Sequence, residues 1–221
     1  LVGFDDEAMT MKYRFRYYIT HKGNAGSYIY QKVPVGVFLL EHLITVSTVM
    51  GGAKSFDDAV ARLAAIPHEL LIFMEVCFIA IPLLFHGLYG AYIALQARNN
   101  AIGRYGYSRN WQFYLQRLTA WYTLLFLIGH VGYLRFAMKG SGVPIDFALV
   151  SAHLSNPIIF VLYAIGVVAA VFHFTNGLFT FTITWGIAKG PRIQSVVNKC
   201  AWALCVILSV LGVVSLTRFI A

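Results

Sequence analysis

The sequence predicts an all-α integral membrane protein with five transmembrane helices, and two observations carry that prediction. Of its 221 residues, 59% are apolar and 12% are charged, with a mean hydropathy of +0.69. An ordinary soluble domain carries roughly 25% charged residues. The apolar residues also gather into five runs near the ~20 residues that cross a bilayer as a helix. A chain with so few polar groups cannot cover a water-facing surface. A typical soluble enzyme, a disordered tail and a secreted disulfide scaffold are thereby excluded.

Residues 1–32 are polar and mixed in charge, with no cleavable signal pattern, and read as an N-terminal arm; residues 33–221 form the membrane domain. The first expected span, 33–52, is interrupted only by Glu41 and His42 and closes on Gly51-Gly52. The second, 69–95, has no Asp, Glu, Lys or Arg from Val76 to Ala97, and Pro82 should kink it. The third, 113–137, is uncharged from Leu118 to Leu134. The stretch from Phe147 to Ala188 is too long for one perpendicular crossing, so the fourth span should start at Pro157, with a short surface element over 146–155. The fifth is 197–220. Asn99-Asn100, Gly140-Ser141-Gly142 and Gly190-Pro191 punctuate the connections, and no internal repeat is visible.

The formal net charge of +8 comes from 17 Lys and Arg against 9 Asp and Glu. These basic residues lie in short segments between apolar runs, which is loop charge that orients a membrane protein rather than a nucleic-acid surface. Twelve fall on the side of the N-terminal arm (Lys12, Arg14, Arg16, Lys22 and Lys32) and of the second and fourth connections, and five on the other. The positive-inside rule then puts the N-terminus in the cytoplasm and the C-terminus outside, in a multi-pass membrane protein.

Ionisable residues inside a bilayer are costly and therefore functional candidates. Of seven histidines, His21, His68 and His153 fall in arms or loops. The other four fall one to a span: His42, His86, His130 and His173. One imidazole on each of four helices is the arrangement that holds two bis-imidazole haems in a bundle. Cys77, Cys200 and Cys205 form no Cys-x-x-Cys-His motif, so such haems are held without a covalent link. Nor is there a cysteine set for an iron–sulfur cluster, a dinucleotide fingerprint or a phosphate loop. Flavin and iron–sulfur chemistry are expected elsewhere. At about 1.5 Å per residue, depth keeps His86 and His130 apart and leaves His86 to pair with His173 or with His42. Gly90 and Gly177 stand four residues after His86 and His173, where a glycine makes room for a flat macrocycle, and mark those two as a pair.

The segments VPVGVFLLEHL (33–43), IPLLFHGLYGAYIA (81–94), YSRNWQFYLQRLT (107–119), GHV (129–131) and VFHFTNGLFTFTITWGI (171–187) together resemble a known family. It is the five-helix, di-haem cytochrome b subunits of succinate:menaquinone oxidoreductases and quinol:fumarate reductases. The resemblance implies that His86 and His173 bind a proximal haem b nearer the cytoplasm, and His42 and His130 a distal one nearer the outside. It also implies a flavoprotein and an iron–sulfur partner subunit on the cytoplasmic face and menaquinone as electron acceptor, with no nucleic acid. The N-terminal RYYITHKGNAGSYIYQK departs from the family's Arg-x-Leu-His-Ser arm, so docking contacts are not carried over.

Within that family Glu75, 11 residues before His86, is placed to exchange protons with a quinone, its carboxyl expected to be desolvated. Glu41, beside His42, is a candidate proton-relay member or a partner for a neighbouring span. Arg109, Trp111, Arg117 and Lys189, near cytoplasmic helix ends, are candidate donors to haem propionates. Two other readings compete: a cytochrome b anchor of a hydrogenase or formate dehydrogenase, and a haem-free proton-coupled transporter.

Overall fold

The computed structural model describes residues 25–96 and 108–221, with side chains from residue 33 onward. Lys12, Arg14, Arg16, His21, Lys22, Arg98 and Arg104 lie outside the described residues.

Helix α1 covers Ala25–Ser47 and ends in a 3₁₀ turn, Thr48–Gly51. It begins eight residues before the expected span at Val33 and runs through Pro34. Hydropathy marks where a helix can enter lipid, and helical backbone can extend beyond that point through a polar stretch such as AGSYIYQK. Gly52, at φ +94°, breaks the chain away. Helix α2, Ala53–Ala64, was not expected. Its Phe56 and Ala59 are buried, while Lys54 and Asp58 pair at 2.7 Å on the exposed face.

Helix α3 spans His68–Gln96. The expected disturbance at Pro82 takes the form of a π-helical segment, Glu75–Ala80, immediately before the proline. Pro82 has no N–H to donate back into that turn, and a widened turn is one way to absorb the loss. Helix α4 runs Ser108–Val131 and continues as a second π-helical segment, Gly132–Met138. Helix α5, Phe147–Leu154, is the expected short element, capped by the Asp146 carboxylate accepting from Leu149 N at 2.8 Å. Asp57 of α2 accepts from Phe147 N at 2.7 Å and ties α2 to its start. Helix α6, Pro157–Thr184, starts where expected: Asn156 caps it and Pro157 occupies its first turn. Helix α7 is Gly190–Arg218.

Among the described residues, four helical segments are long and apolar enough to cross a membrane: Val33–Gly51, His68–Gln96, Pro157–Thr184 and Gly190–Arg218. The expected third span, carried by α4, is not among them. It packs along α6 as a long helix, but Gln112, Gln116, Thr119, Thr123 and His130 dilute its apolar character. The large apolar side chains point outward; Leu84, Leu125 and Ile158 are 64%, 68% and 71% exposed. Polar Gln112, Thr175, Asn176 and Ser215 are buried. This inversion of the water-soluble pattern suits a lipid solvent.

Helix α6 packs against α4 and α7, α1 packs against α3 and α7, and α3 touches α4. Thus α1, α3, α4 and α6 enclose a common interior, with α7 laid outside against α6 and α1. Leu43, Val171, Phe172, Cys205 and Leu208 fill the seam of α1, α6 and α7. At the other end Phe219 packs edge-on to Phe56 (5.0 Å) and stacks with Phe147 (5.4 Å). The α6–α7 seam is tight at Gly212, where an added Cβ would stand 2.5 Å from Val167 Cγ1. Valine is stiff in a helix and cannot swing away freely. Gly212→Ala is therefore expected to destabilise the bundle by about 1–3 kcal/mol. Thermal unfolding of the detergent-solubilised protein checks this, and an unchanged midpoint would show that the seam has room.

Candidate haem-binding site

Four imidazoles converge on the bundle interior in two pairs. The rings of His86 (α3) and His173 (α6) lie 6.0 Å apart, centre to centre, at 73°. Those of His42 (α1) and His130 (α4) lie 5.8 Å apart at 72°. Each pair joins helices on opposite sides of the four-helix interior. Depth alone leaves the partner of His86 open between His173 and His42; in the structure it faces His173.

The surroundings of the two pairs differ. His173 Nδ1 lies 3.1 Å from the main-chain oxygen of Gln116, and Gln116 Nε2 donates to His173 O at 3.0 Å. Asn176 Nδ2 donates to Gln116 Oε1 at 2.8 Å and holds that amide in place. Gln116 Nε2 also lies 3.1 Å from His173 Nδ1; in the tautomer with Nδ1 protonated, Nδ1 donates to the Gln116 carbonyl and His173 keeps an Nε2 lone pair for a metal. In the other pair each ring is backed by a phenylalanine one turn earlier on its own helix. Phe38 stacks on His42 at 5.6 Å and Phe126 on His130 at 5.5 Å, both at 24°. Phe126 is wedged against α6 at Gly166, where a Cβ would come within 2.6 Å of the ring. Tyr163 from α6 places its hydroxyl 3.4 Å from His130 Nδ1 and 3.2 Å from His153 Nε2. His153 in turn stacks on Tyr133 at 4.0 Å.

The remaining candidates are placed differently. Glu75 is an ion-pair partner rather than an isolated buried acid. Arg135 donates to its Oε2 from Nε at 3.1 Å and from Nη2 at 2.7 Å, and Lys139 Nζ lies 3.5 Å from Oε1. Glu41 is exposed and accepts from Thr45 Oγ1, one turn on in its own helix, at 2.7 Å. Arg109 donates to Gln194 Oε1 at 2.9 Å, bridging α4 to α7. The Arg117 guanidinium sits 4.4 Å over the Phe113 ring. Trp111 is exposed and packs edge-on to Tyr114, and Lys189 is exposed. None of these contacts brings Arg109, Trp111, Arg117 or Lys189 beside a histidine pair. Gln116, Tyr163, His153 and Arg135 were not singled out in the sequence. The signal for Gln116 was there: 112, 116, 119, 123 and 130 lie on one helix face.

The chain is 38% identical over 188 residues to the succinate dehydrogenase cytochrome b558 subunit of Bacillus subtilis (strain 168), covering 85% of this chain and 91% of that protein. The chain belongs to the cytochrome b membrane-anchor subunits of succinate dehydrogenase. It is a multi-pass membrane protein. No protein-family model matches it.

A cytochrome b implies haem b, and the residues fit that group. An imidazole nitrogen lies about 2 Å from a metal ion it ligates, so two rings on opposite sides of one ion are on the order of 6 Å apart. Both pairs have that spacing. Among the described residues no three His, Cys, Asp or Glu side chains gather into a metal site. Each pair offers two axial nitrogens, the donor set a porphyrin iron needs. A Cβ on Gly90, one turn after His86, would meet nothing within 4 Å, which leaves open space on that face. Gly177, the other glycine singled out, faces the Gln116 amide at 3.7 Å instead. Thr123 Oγ1 is buried without a hydrogen-bond partner among the described residues, on the α4 face between Gln116 and His130.

Gln116 gives a direct check. Gln116→Leu removes the amide that braces His173 and leaves buried Asn176 without its acceptor. Loss of such a support is expected to weaken metal holding by roughly 10–100-fold. Haem retention at the His86–His173 site, followed by difference spectroscopy during dilution, measures it; full retention would show that the main-chain bond alone suffices.

Proposed function

We propose that this subunit anchors a flavoprotein and an iron–sulfur subunit at the cytoplasmic face of a bacterial membrane. It conveys electrons from the iron–sulfur subunit to menaquinone, with two b haems held in its interior. On this reading five helices cross the bilayer, α4 being the fifth, with its polar face turned inward. The N-terminus is cytoplasmic and the C-terminus outside. The single observation that supports the reading best is the pair of imidazole pairs, each crossing the bundle. Ten residues of α6 separate Tyr163, beside one pair, from His173 in the other, a rise of about 15 Å.

The residues then have distinct tasks. His86 and His173 hold the proximal group, and His42 and His130 the distal one. Each haem, when bound, supplies a one-electron carrier. Gln116 keeps the proton on His173 Nδ1 and so presents Nε2. Phe38 and Phe126 fix the planes of the distal imidazoles. The outward apolar shell keeps water from the interior and favours uncharged species around the ligands. Basic side chains at the cytoplasmic helix ends, among them Arg109, Arg117 and Lys189, and the Trp111 indole are available for propionates. The carboxylate of Glu75, near the outer end of α3, is the proton-exchanging group for the quinone, and Arg135 must yield part of the ion pair when it acts. Glu41, at the level of His42, is a second acid for that proton.

Three measurements test this. The purified complex should contain two haems per copy of this chain. His86→Ala or His173→Ala should remove one reduced-minus-oxidised signal and leave the other partly formed; full occupancy in both variants would refute the ligand assignment. Glu75→Gln should slow succinate-dependent quinone reduction on the order of 100-fold with both haems kept. Unchanged turnover would make Glu75 an ion-pair anchor only.

A further inference from the structure

The hydrogen-bonding capacities around Tyr163 allow a chain that runs from His130 through the hydroxyl to His153. If His130 offers Nε2 to a metal, its Nδ1 carries the proton and must donate. The Tyr163 hydroxyl oxygen stands ready to accept it, 3.4 Å away. That hydroxyl has one proton of its own, and His153 Nε2 stands 3.2 Å from it. His153 can accept this proton only as a neutral imidazole. Burial holds His153 below the ordinary histidine range, which suits that role. Its ring is fixed by stacking on Tyr133 at 4.0 Å and 13°, and Tyr163 stands edge-on to it at 77°. Phe126 meets Tyr163 at 88° and stacks on His130, so neither ring of the chain is free to turn alone.

We propose that Tyr163 is the positioning residue of the His42–His130 site: it accepts the His130 Nδ1 proton and passes its own to His153, so that α5 is tied to that pair. The proposal rests on His130 being a haem ligand. A ligating histidine whose second nitrogen donates to an acceptor is the more basic ligand and favours the oxidised metal. Removing the acceptor therefore raises the reduction potential. The main-chain carbonyl of Gln116 performs the corresponding task for His173 inside the bundle. Tyr163 performs it with a chain that leads outward to a short helix beside the outer end of α4.

The test uses the whole purified complex carrying Tyr163→Phe, which keeps the aromatic ring and its contacts with Phe126. The expected result is unchanged haem content, an upward shift in the midpoint potential of the distal haem and an altered low-spin resonance for that haem alone. His153→Leu should move the same two readouts in the same direction by less, because Tyr163 then loses its acceptor but still takes the His130 proton. If Tyr163→Phe fails to assemble, the His153→Leu complex decides alone. An unaltered distal potential and resonance in an assembled two-haem variant would overturn the proposal. A wild-type complex with no haem on this chain would instead refute the ligand reading beneath it.

Discussion

The structure depends on bringing four imidazoles into the interior of an otherwise apolar bundle. Each carries two polar nitrogens into a place without water, and a buried polar group without a partner is costly. The cost is met in part by neighbours: one nitrogen of His173 finds a partner on α4 and one of His130 finds a partner on α6. Because each pair crosses a diagonal, no two adjacent helices make a site. Helices α1 and α4 must keep register with each other, and α3 and α6 likewise, with tolerance of a fraction of a turn. That explains why close contact is concentrated where α6 meets its neighbours, at Gly166 against Phe126 and at Gly212 against Val167. Gly166 lets Phe126 of α4, one turn before His130, close on α6.

Local forces were legible in the sequence, and contacts between distant segments were not. The start of α6 could be read because Asn156-Pro157 is a cap and first turn in themselves. The long uncharged runs of α3, α6 and α7 were visible because lipid demands them. The four ligand candidates stood out because histidine is rare at such depth. Depth could not decide which ring met His86, since that depends on which helices lie diagonal; the glycine four residues after His86 and after His173, with the family resemblance, pointed to the two pairs whose rings lie 6.0 and 5.8 Å apart. The span expected over 33–52 matches the apolar segment Val33–Gly51, while the helix that carries it starts at Ala25 because polar residues 25–32 continue the helix ahead of its apolar run. Helix α2 went unread, though Phe56, Ala59 and Val60 have helical spacing, because it is too short and too charged to resemble a membrane span.

Helix α4 shows the limit of reading by hydropathy. Its inward face carries Gln112, Gln116, Thr119, Thr123 and His130, and these lower its average apolar character. Averaging treats that face as a defect, whereas in the structure two of these residues do the polar work of the interior. Gln116 bonds His173 and Asn176. Gln112 donates to Asn198 of α7 at 2.8 Å. A helix that serves both ligand pairs must carry such a face. α4 thus contributes to both sites, with Gln116 at His173 and His130 in the other pair.

The two π-helical segments extend the same logic to the charged groups. Glu75 opens the segment in α3 and Arg135 lies within the one in α4, so the ion pair joins two widened turns. A π turn places one extra residue in the helix and rotates the residues beyond it relative to an unbroken α-helix. In α3 the cause is in the sequence, since Pro82 lies just beyond the segment. In α4 no proline is present; Gly129 and Gly132 precede or begin the segment and offer no side chain to resist the widening. The rotation brings Arg135 to Glu75 while His130, just before the segment, stays facing His42. The distortion therefore lets a single helix present a neutral ligand inward and a cation to the neighbouring carboxylate within five residues.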